Sequence, residues 1–417
     1  AYEPANPDFL FCLGDIERQH GNLDAAITAF ETAIRQGAPE LDRLIQLADL
    51  CLTNEQPCAA EAWAREAVRI LPHPESLHML ADTIRAQGRA DDSLPFYRRA
   101  AEDDKDYSVR HQKLLVTVNY SDTMAARDIF QAHRDVGQLT NLGSAAPSLQ
   151  ARTAPNVISA AEPAPLRVGY VFADFGHGSA SLFVEPVISG HHRAQVEVYC
   201  YSTTRPEQGQ RCRMQERGVT WRDVSALSVD DLVALVRSDR LHVAVDLSGH
   251  TAGNRLEAFA RRVAPRQVSW LGYPNTTGVP AMDYRLTDDV CDPFGVTDAL
   301  HTESLWRLPR CFIVYQPRSD MPLPAPAPAM SRGYITFGCF NRIEKLSTTA
   351  LRAWSRVLAA VPGSRLLLKA RGLDEPTLSQ AVRARFASVA GDPARLDLEG
   401  STATYADHLA RYAEVDR

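Results

Sequence analysis

The 417-residue chain carries 45 Lys and Arg against 51 Asp and Glu, a formal net charge of −6, with 45% hydrophobic and 23% charged residues. That composition is ordinary for a folded soluble protein and argues against a nucleic-acid-binding surface over the whole chain. No apolar run approaches the roughly 18 residues of a membrane span, and at about 100–200 residues per domain the length suits two to four domains. Cys12, Cys51, Cys58, Cys200, Cys212, Cys291, Cys311 and Cys339 are scattered, with no CxxC pair and no zinc-ligand spacing. They read as small hydrophobes buried in a reducing compartment, so a cytoplasmic setting is expected. Ala1-Tyr2-Glu3 shows no signal peptide and reads as the inside of something longer.

In chain order, a repeat comes first. Leu13-Gly14, Gly21, Ala26, Phe30 and Ala33 are followed by Leu47-Ala48, Ala60, Ala64, Ala67 and Pro72, then by Leu80-Ala81, Gly88, Tyr97 and Ala100. Small residues at this spacing let paired helices cross closely, and large ones fill the next pair's groove. Residues 1–106 therefore resemble tetratricopeptide repeats. Leu114, Leu115, Val118, Ile129, Phe130 and His133 extend the helical spacing over 107–136. Residues 137–165 gather Gly, Ser, Ala and Pro and read as a linker.

From Leu166 the period changes. Strands are predicted at Leu166–Phe172, Val196–Tyr201, Leu241–Leu247 and Gln267–Leu271, alternating with helices from about Ser179, around 207–217, at 228–238 and at 254–262. Such alternation implies a parallel sheet with helices on both faces, an α/β lobe over 166–319. A proline-rich connector, 320–332, precedes a second α/β lobe, 333–417. There, strands at Tyr334–Phe340, Arg365–Lys369 and Leu396–Leu398 precede helices at 347–361, 376–388 and 404–413. Tyr412–Arg417 reads as the start of a further strand, so the second lobe is expected to stop inside a domain.

Ligands of open α/β sheets bind at the carboxyl ends of strands. That rule selects loops 173–181, 247–254, 271–278 and 340–346. Asp174, His177 and His250 stand at such ends and could share proton transfer from a hydroxyl, although Asp174 could equally cap the following helix. Lys345, three residues beyond Arg342 and ahead of a helix near Ser347, suits a diphosphate, which takes both positive charge and helix N–H donors. The only Asp-x-Asp, Asp104-Lys-Asp106, lies in the helical array, so phosphate binding without metal or other cofactor is expected.

Residues 166–417 resemble the catalytic region of O-GlcNAc transferases and their SPINDLY-like bacterial relatives. The resemblance rests on Asp174-Phe-Gly, Asp246-Leu-Ser-Gly-His-Thr-Ala-Gly-Asn-Arg255, Gln267-Val-Ser-Trp-Leu-Gly-Tyr-Pro274, Thr276-Thr-Gly278, Met282-Asp-Tyr-Arg-Leu-Thr-Asp288 and Cys339-Phe-Asn341 with Lys345. It implies two facing Rossmann-like lobes of the GT-B type and inverting transfer of N-acetylglucosamine from UDP-GlcNAc to Ser or Thr of a protein. The repeats are then expected to recruit the acceptor, and the net charge and the lack of a long apolar run lead to the expectation of neither nucleic acid nor membrane as partner. The candidate catalytic residues are Asp174 and Lys345, which the resemblance also marks, with His177 and His250 from their strand-end positions. Gly178, Leu271, Gly272, Tyr273, Pro274, Thr276, Thr277, Asn341, Arg342 and Lys345 are the candidates for nucleotide-sugar binding. The family's usual histidine position falls on Gly178, and His177 stands one residue earlier. The readings left open are a shifted loop, a different donor sugar such as glucose or fucose, or a catalytically decayed scaffold for protein interaction.

Overall fold

The computed structural model describes residues 6–37, 40–140, 165–175, 180–205, 208–316, 321 and 325–416. The chain forms two compact units. One comprises Ala1–Asp103, Tyr120–Thr123 and Ser319–Arg417, the other Asp104–Asn119 and Met124–Arg318.

The first unit begins with three helix–turn–helix pairs: α1 (Pro7–Gln19) with α2 (Leu23–Gln36), α3 (Leu41–Thr53) with α4 (Pro57–Ile70), and α5 (Pro74–Arg85) with α6 (Ala90–Ala101). Proline opens α1, α4 and α5, where its missing N–H costs no intrahelical bond. Gly14 shows why the repeat needs small residues. A Cβ there would lie 2.4 Å from the Phe30 ring, so only glycine lets α1 meet α2 this closely. Ala26, Ala33, Ala60, Ala64 and Ala67 are fully buried in the same seams. The tetratricopeptide array is thus as the sequence predicts.

The same unit holds a three-stranded parallel sheet of order β10-β9-β8, made of β8 (Thr336–Cys339), β9 (Arg365–Lys369) and β10 (Leu396–Glu399). Helices α14 (Thr348–Ala360), α15 (Pro376–Ser388) and α16 (Tyr405–Ala410) alternate with the strands. The proline-rich connector closes with a short helix, α13 (Ala329–Arg332). Beyond a 3₁₀ turn at Arg411–Glu414, the Asp416 N–H donates to the Thr336 carbonyl at 2.9 Å. The Asp416 carboxylate accepts from the Thr336 and Ala329 amides, also at 2.9 Å. Glu375, just before α15, accepts from the Cys58 and Ala59 amides at 3.1 Å and so caps α4.

The second unit carries α7 (Val109–Val118), α8 (Ala126–Leu139) and a seven-stranded parallel sheet of order β3-β2-β1-β4-β5-β6-β7. Its strands are β1 (Leu166–Phe172), β2 (Val196–Ser202), β3 (Thr220–Asp223), β4 (Val243–Asp246), β5 (Arg266–Ser269), β6 (Tyr284–Asp288) and β7 (Ser304–Leu308). Helices α9 (Ser181–Gly190), α10 (Gln208–Glu216), α11 (Val229–Ser238) and α12 (Leu256–Ala260) connect the first five strands. Alternate residues feed two cores, as a pleated strand requires. Tyr170, Phe172, Val198 and Cys200 pack with Val184 and Ile188 of α9. Val171, Tyr199, Tyr201 and Ala244 pack with Leu232 and Val236 of α11 and with Phe259.

Three features differ from the sequence reading. Strands β3, β6 and β7 were not predicted, and the sheet has seven strands where four were expected. Helices α7 and α8 cluster with the sheet of the second unit rather than extending the repeats, and α8 runs on to Leu139. The cysteines are free but not uniformly buried: Cys12, Cys212, Cys291 and Cys311 are exposed.

Candidate functional site

The seven-stranded sheet reverses its strand order between β1 and β4, and at such a switch point the loops after both strands stand open to a ligand. Asp174 follows β1 and is partly exposed. His177 and Gly178 lie outside the described residues. The loop after β4 is organised by Asp246, whose buried carboxylate accepts from the Ser248 amide at 3.2 Å and the Gly249 amide at 2.9 Å. Burial pushes its pKa up to about 6, against the lowering effect of those two bonds. Ser248 in turn accepts from the Ala173 amide at 3.3 Å, tying the two loops together.

His250 corrects the sequence reading. Expected as an acid–base group, it is wholly buried with both ring nitrogens engaged. Nε2–H donates to the Thr277 carbonyl at 2.7 Å, and Nδ1 accepts from the Tyr107 hydroxyl at 2.9 Å. Burial and the neighbouring His133 drive its pKa down to about 3, against the raising effect of the bond to the Thr277 carbonyl. Neither nitrogen is left for a substrate hydroxyl.

The loop after β5 divides in the same way. Tyr273, read as a nucleotide-sugar contact, is 2% exposed, and its hydroxyl donates to His133 Nε2 at 2.7 Å and accepts from Asn119 Nδ2 at 3.0 Å. Thr276 and Thr277 are fully buried on the Glu303 carboxylate, which accepts from the Thr276 hydroxyl at 2.5 Å, the Thr277 amide at 2.7 Å and the Thr277 hydroxyl. These three side chains anchor the loop to α7, α8 and the β7 approach. Leu271, Gly272 and Pro274 keep exposed surface. Leu271 holds φ +66°, a left-handed backbone that costs a non-glycine residue energy and is found where surrounding structure over-determines it. A Cβ on Gly272 would lie 1.7 Å from the Leu247 carbonyl.

In the first unit, Asn341, Arg342 and Lys345 are exposed beyond β8, and Lys345 Nζ donates to Asn341 Oδ1 at 3.3 Å. The expected helix N–H donors are already used. The Thr348 and Thr349 amides of α14 donate to Asp122 at 2.6 and 3.3 Å, and the Ala350 amide donates to Ser347 at 3.1 Å. Anion binding there falls to side chains. A cavity of about 350 Å³ opens at the carboxyl ends of β8, β9 and β10, lined by Arg342, Lys369, Arg371, Thr402, Tyr405 and His408 among others. A smaller one of about 80 Å³ adjoins it, sharing Asn341, Arg342 and Lys369 and adding Lys345.

Lys369 was missed by the sequence reading. It is 6% exposed and makes no ion pair among the described residues. It lines both cavities, so it adds a positive charge to their walls. Burial and the charge of Lys369 lower the pKa of His408. The signal was present, since Lys369 ends the apolar run Arg365-Leu-Leu-Leu and so stands at a strand's carboxyl end. Among the described residues no group of three or more His, Cys, Asp and Glu side chains is placed to hold a metal ion. Nor is any described helix long and apolar enough to cross a membrane.

The described residues thus combine helical repeats, parallel α/β sheets and a cationic cavity at strand carboxyl ends. Residues 152–323 match glycosyl transferase family 41, and residues 1–42 and 13–73 match the tetratricopeptide repeat. A solved mutant of the Thermobaculum terrenum O-GlcNAc transferase is 31% identical, with a TM-score of 0.81, over 98% of this chain and 77% of that one. The probable UDP-N-acetylglucosamine–peptide N-acetylglucosaminyltransferase SPINDLY of Oryza sativa subsp. japonica is 34% identical over 324 residues, 77% of this chain and 34% of that protein. The UDP-N-acetylglucosamine–peptide N-acetylglucosaminyltransferase of Caenorhabditis elegans is 36% identical over 151 residues, 36% of this chain and 13% of that protein. The chain belongs to glycosyl transferase family 41. It spans about a third of the length of the SPINDLY relatives it matches.

Proposed function

We propose that this protein transfers N-acetylglucosamine from UDP-GlcNAc to Ser or Thr hydroxyls of protein acceptors, with inversion, and that its repeats recruit the acceptor. The observation that carries this reading is the cavity at the carboxyl ends of β8–β10, where Arg342, Lys369 and Arg371 gather positive charge. A nucleoside diphosphate supplies an anion to match these three cations, and Tyr405 and His408 offer flat faces to its base. Family membership adds the sugar and the acceptor class.

In this reading the acceptor oxygen attacks the anomeric carbon as the bond to the phosphate oxygen breaks, and UDP leaves with the electron pair. Lys345 and Lys369 stabilise the charge growing on the diphosphate. Asp174 and His177 remain the candidates to take the hydroxyl proton, since His250 is buried. Leu271, Gly272 and Pro274 keep their proposed place near the sugar, whereas Tyr273, Thr276 and Thr277 hold the loop that presents them. A cytoplasmic setting is part of the proposal, supported by eight free cysteines, four of them exposed.

Calorimetric titration with UDP and with GDP, together with transfer from UDP-GlcNAc, UDP-glucose and GDP-fucose to a Ser-containing peptide, tests the reading. UDP-selective binding and N-acetylglucosaminyl transfer are expected. Preference for GDP, or transfer of another sugar alone, overturns the donor assignment.

A further inference from the structure

We propose that Glu55, on the turn between the repeat helices α3 and α4, is a positioning residue for the nucleotide cavity beyond β9 and β10; this rests on the reading of that cavity given above. The Glu55 carboxylate accepts from Arg371 Nε at 3.0 Å, the Gly372 amide at 3.2 Å and the Ser401 hydroxyl at 2.8 Å. Arg371 and Ser401 both line the cavity. Glu55 itself holds a left-handed backbone, φ +59°, which brings the repeat turn against the loop after β9.

The Arg371 side chain is 74% exposed, and its ion pair among the described residues is with Glu55. A long, exposed guanidinium must be ordered when a ligand arrives, and that cost is subtracted from affinity. Glu55 takes Nε in advance and leaves both terminal nitrogens as donors for a phosphate. Its bond to Ser401 fixes the start of the 401–404 loop, which forms another wall. An opposing effect exists, because a carboxylate near the cavity repels a diphosphate. The Arg371 guanidinium paired with it counters that repulsion, and against the raising effect of burial its donors hold its pKa below the usual carboxylate range, so it remains the acceptor that orders Arg371.

Titration of the full chain with UDP decides between these effects. Glu55→Gln is expected to raise the UDP Kd about 3- to 10-fold, the worth of ordering one such side chain, with the melting temperature unchanged. Arg371→Met, which removes the phosphate donor itself, should raise the Kd about 10- to 100-fold, and the double variant should be no weaker than Arg371→Met alone. In transfer assays the loss should fall on the donor KM and leave kcat unchanged. Parent-like or tighter binding by Glu55→Gln, or additive losses in the double variant, overturns the proposal. No UDP binding by the parent instead overturns the cavity reading, and the proposal with it. Should Glu55→Gln fail to fold, Ser401→Ala removes a bond from the cavity side. It should weaken UDP in the same direction, and parent affinity there is again the overturning result.

Discussion

Glu303 concentrates much of the order of the β5 loop in one carboxylate. Its removal in Glu303→Ala leaves the Thr277 amide and two hydroxyls buried without an acceptor, each costing about 1–3 kcal/mol. A drop of at least about 3 kcal/mol in unfolding free energy, read from urea denaturation, is expected. Gly278 is as constrained by shape as Glu303 is by charge. Its φ is +69°, and a Cβ there would sit 2.0 Å from the His133 carbonyl. On the ligand side, Lys369→Met removes a charge-assisted contact worth about 1.5–3 kcal/mol, so UDP affinity should fall about 10- to 100-fold in calorimetry. An unchanged Kd would detach Lys369 from the nucleotide.

At the scale of elements, α7, α8 and the loops after β4 and β5 meet in a buried polar hub. Asn254 donates to Tyr107, Tyr107 to His250, and His250 to the Thr277 carbonyl, while Tyr273 donates to His133. Burial lowers the pKa of His133 to about 4 and of His250 to about 3, from 6.5. The unfolded chain therefore takes up these protons first as the pH falls. The stability they confer is whole above pH 6.5 and is lost as the pH drops toward 4 and then 3. Asp246, raised from 3.8 to about 6, acts oppositely, and its contribution is lost as the pH rises through 6. Between pH 6 and 4, two imidazoles against one carboxyl leave about one net proton, a slope of about 1.4 kcal/mol per pH unit from these groups. Urea midpoints across that range should show it, and His133→Gln should flatten it.

This hub also marks the limit of what is legible from sequence. The apolar runs of β1, β2 and β9 declare themselves, because strands buried on both faces need no alternation. Strand β3, Thr-Trp-Arg-Asp, buries only Trp221 fully, and the edge strand β7 buries none of its residues fully, so neither yields a period. His250 and Tyr273 read as chemistry because their partners, Tyr107 and His133, lie more than 130 residues away along the chain. Polar residues at strand ends look alike whether they face a ligand or a helix. Lys345 and Lys369 could be placed near a cavity by their strands alone, whereas the occupation of the α14 amides by Asp122 could not.

For the whole molecule, the boundary between repeats and second unit becomes testable. A fragment starting at residue 104 and ending at 316 keeps α7 and α8 and should fold cooperatively in thermal melts. One starting at 166, where the sequence reading drew the lobe, loses the partners of His250 and Tyr273 and should aggregate or melt without a sharp transition. The repeats and the three-stranded sheet form one unit although the other unit intervenes in the chain. Glu375 and Cys58 are 317 residues apart. During synthesis at about 5–20 residues per second, the repeats leave the ribosome roughly 15–65 s before the residue that caps α4 exists. For that interval the turn bearing Glu55 and the start of α4 are bare, and a newborn chain offers its neighbours a surface that the finished protein has covered.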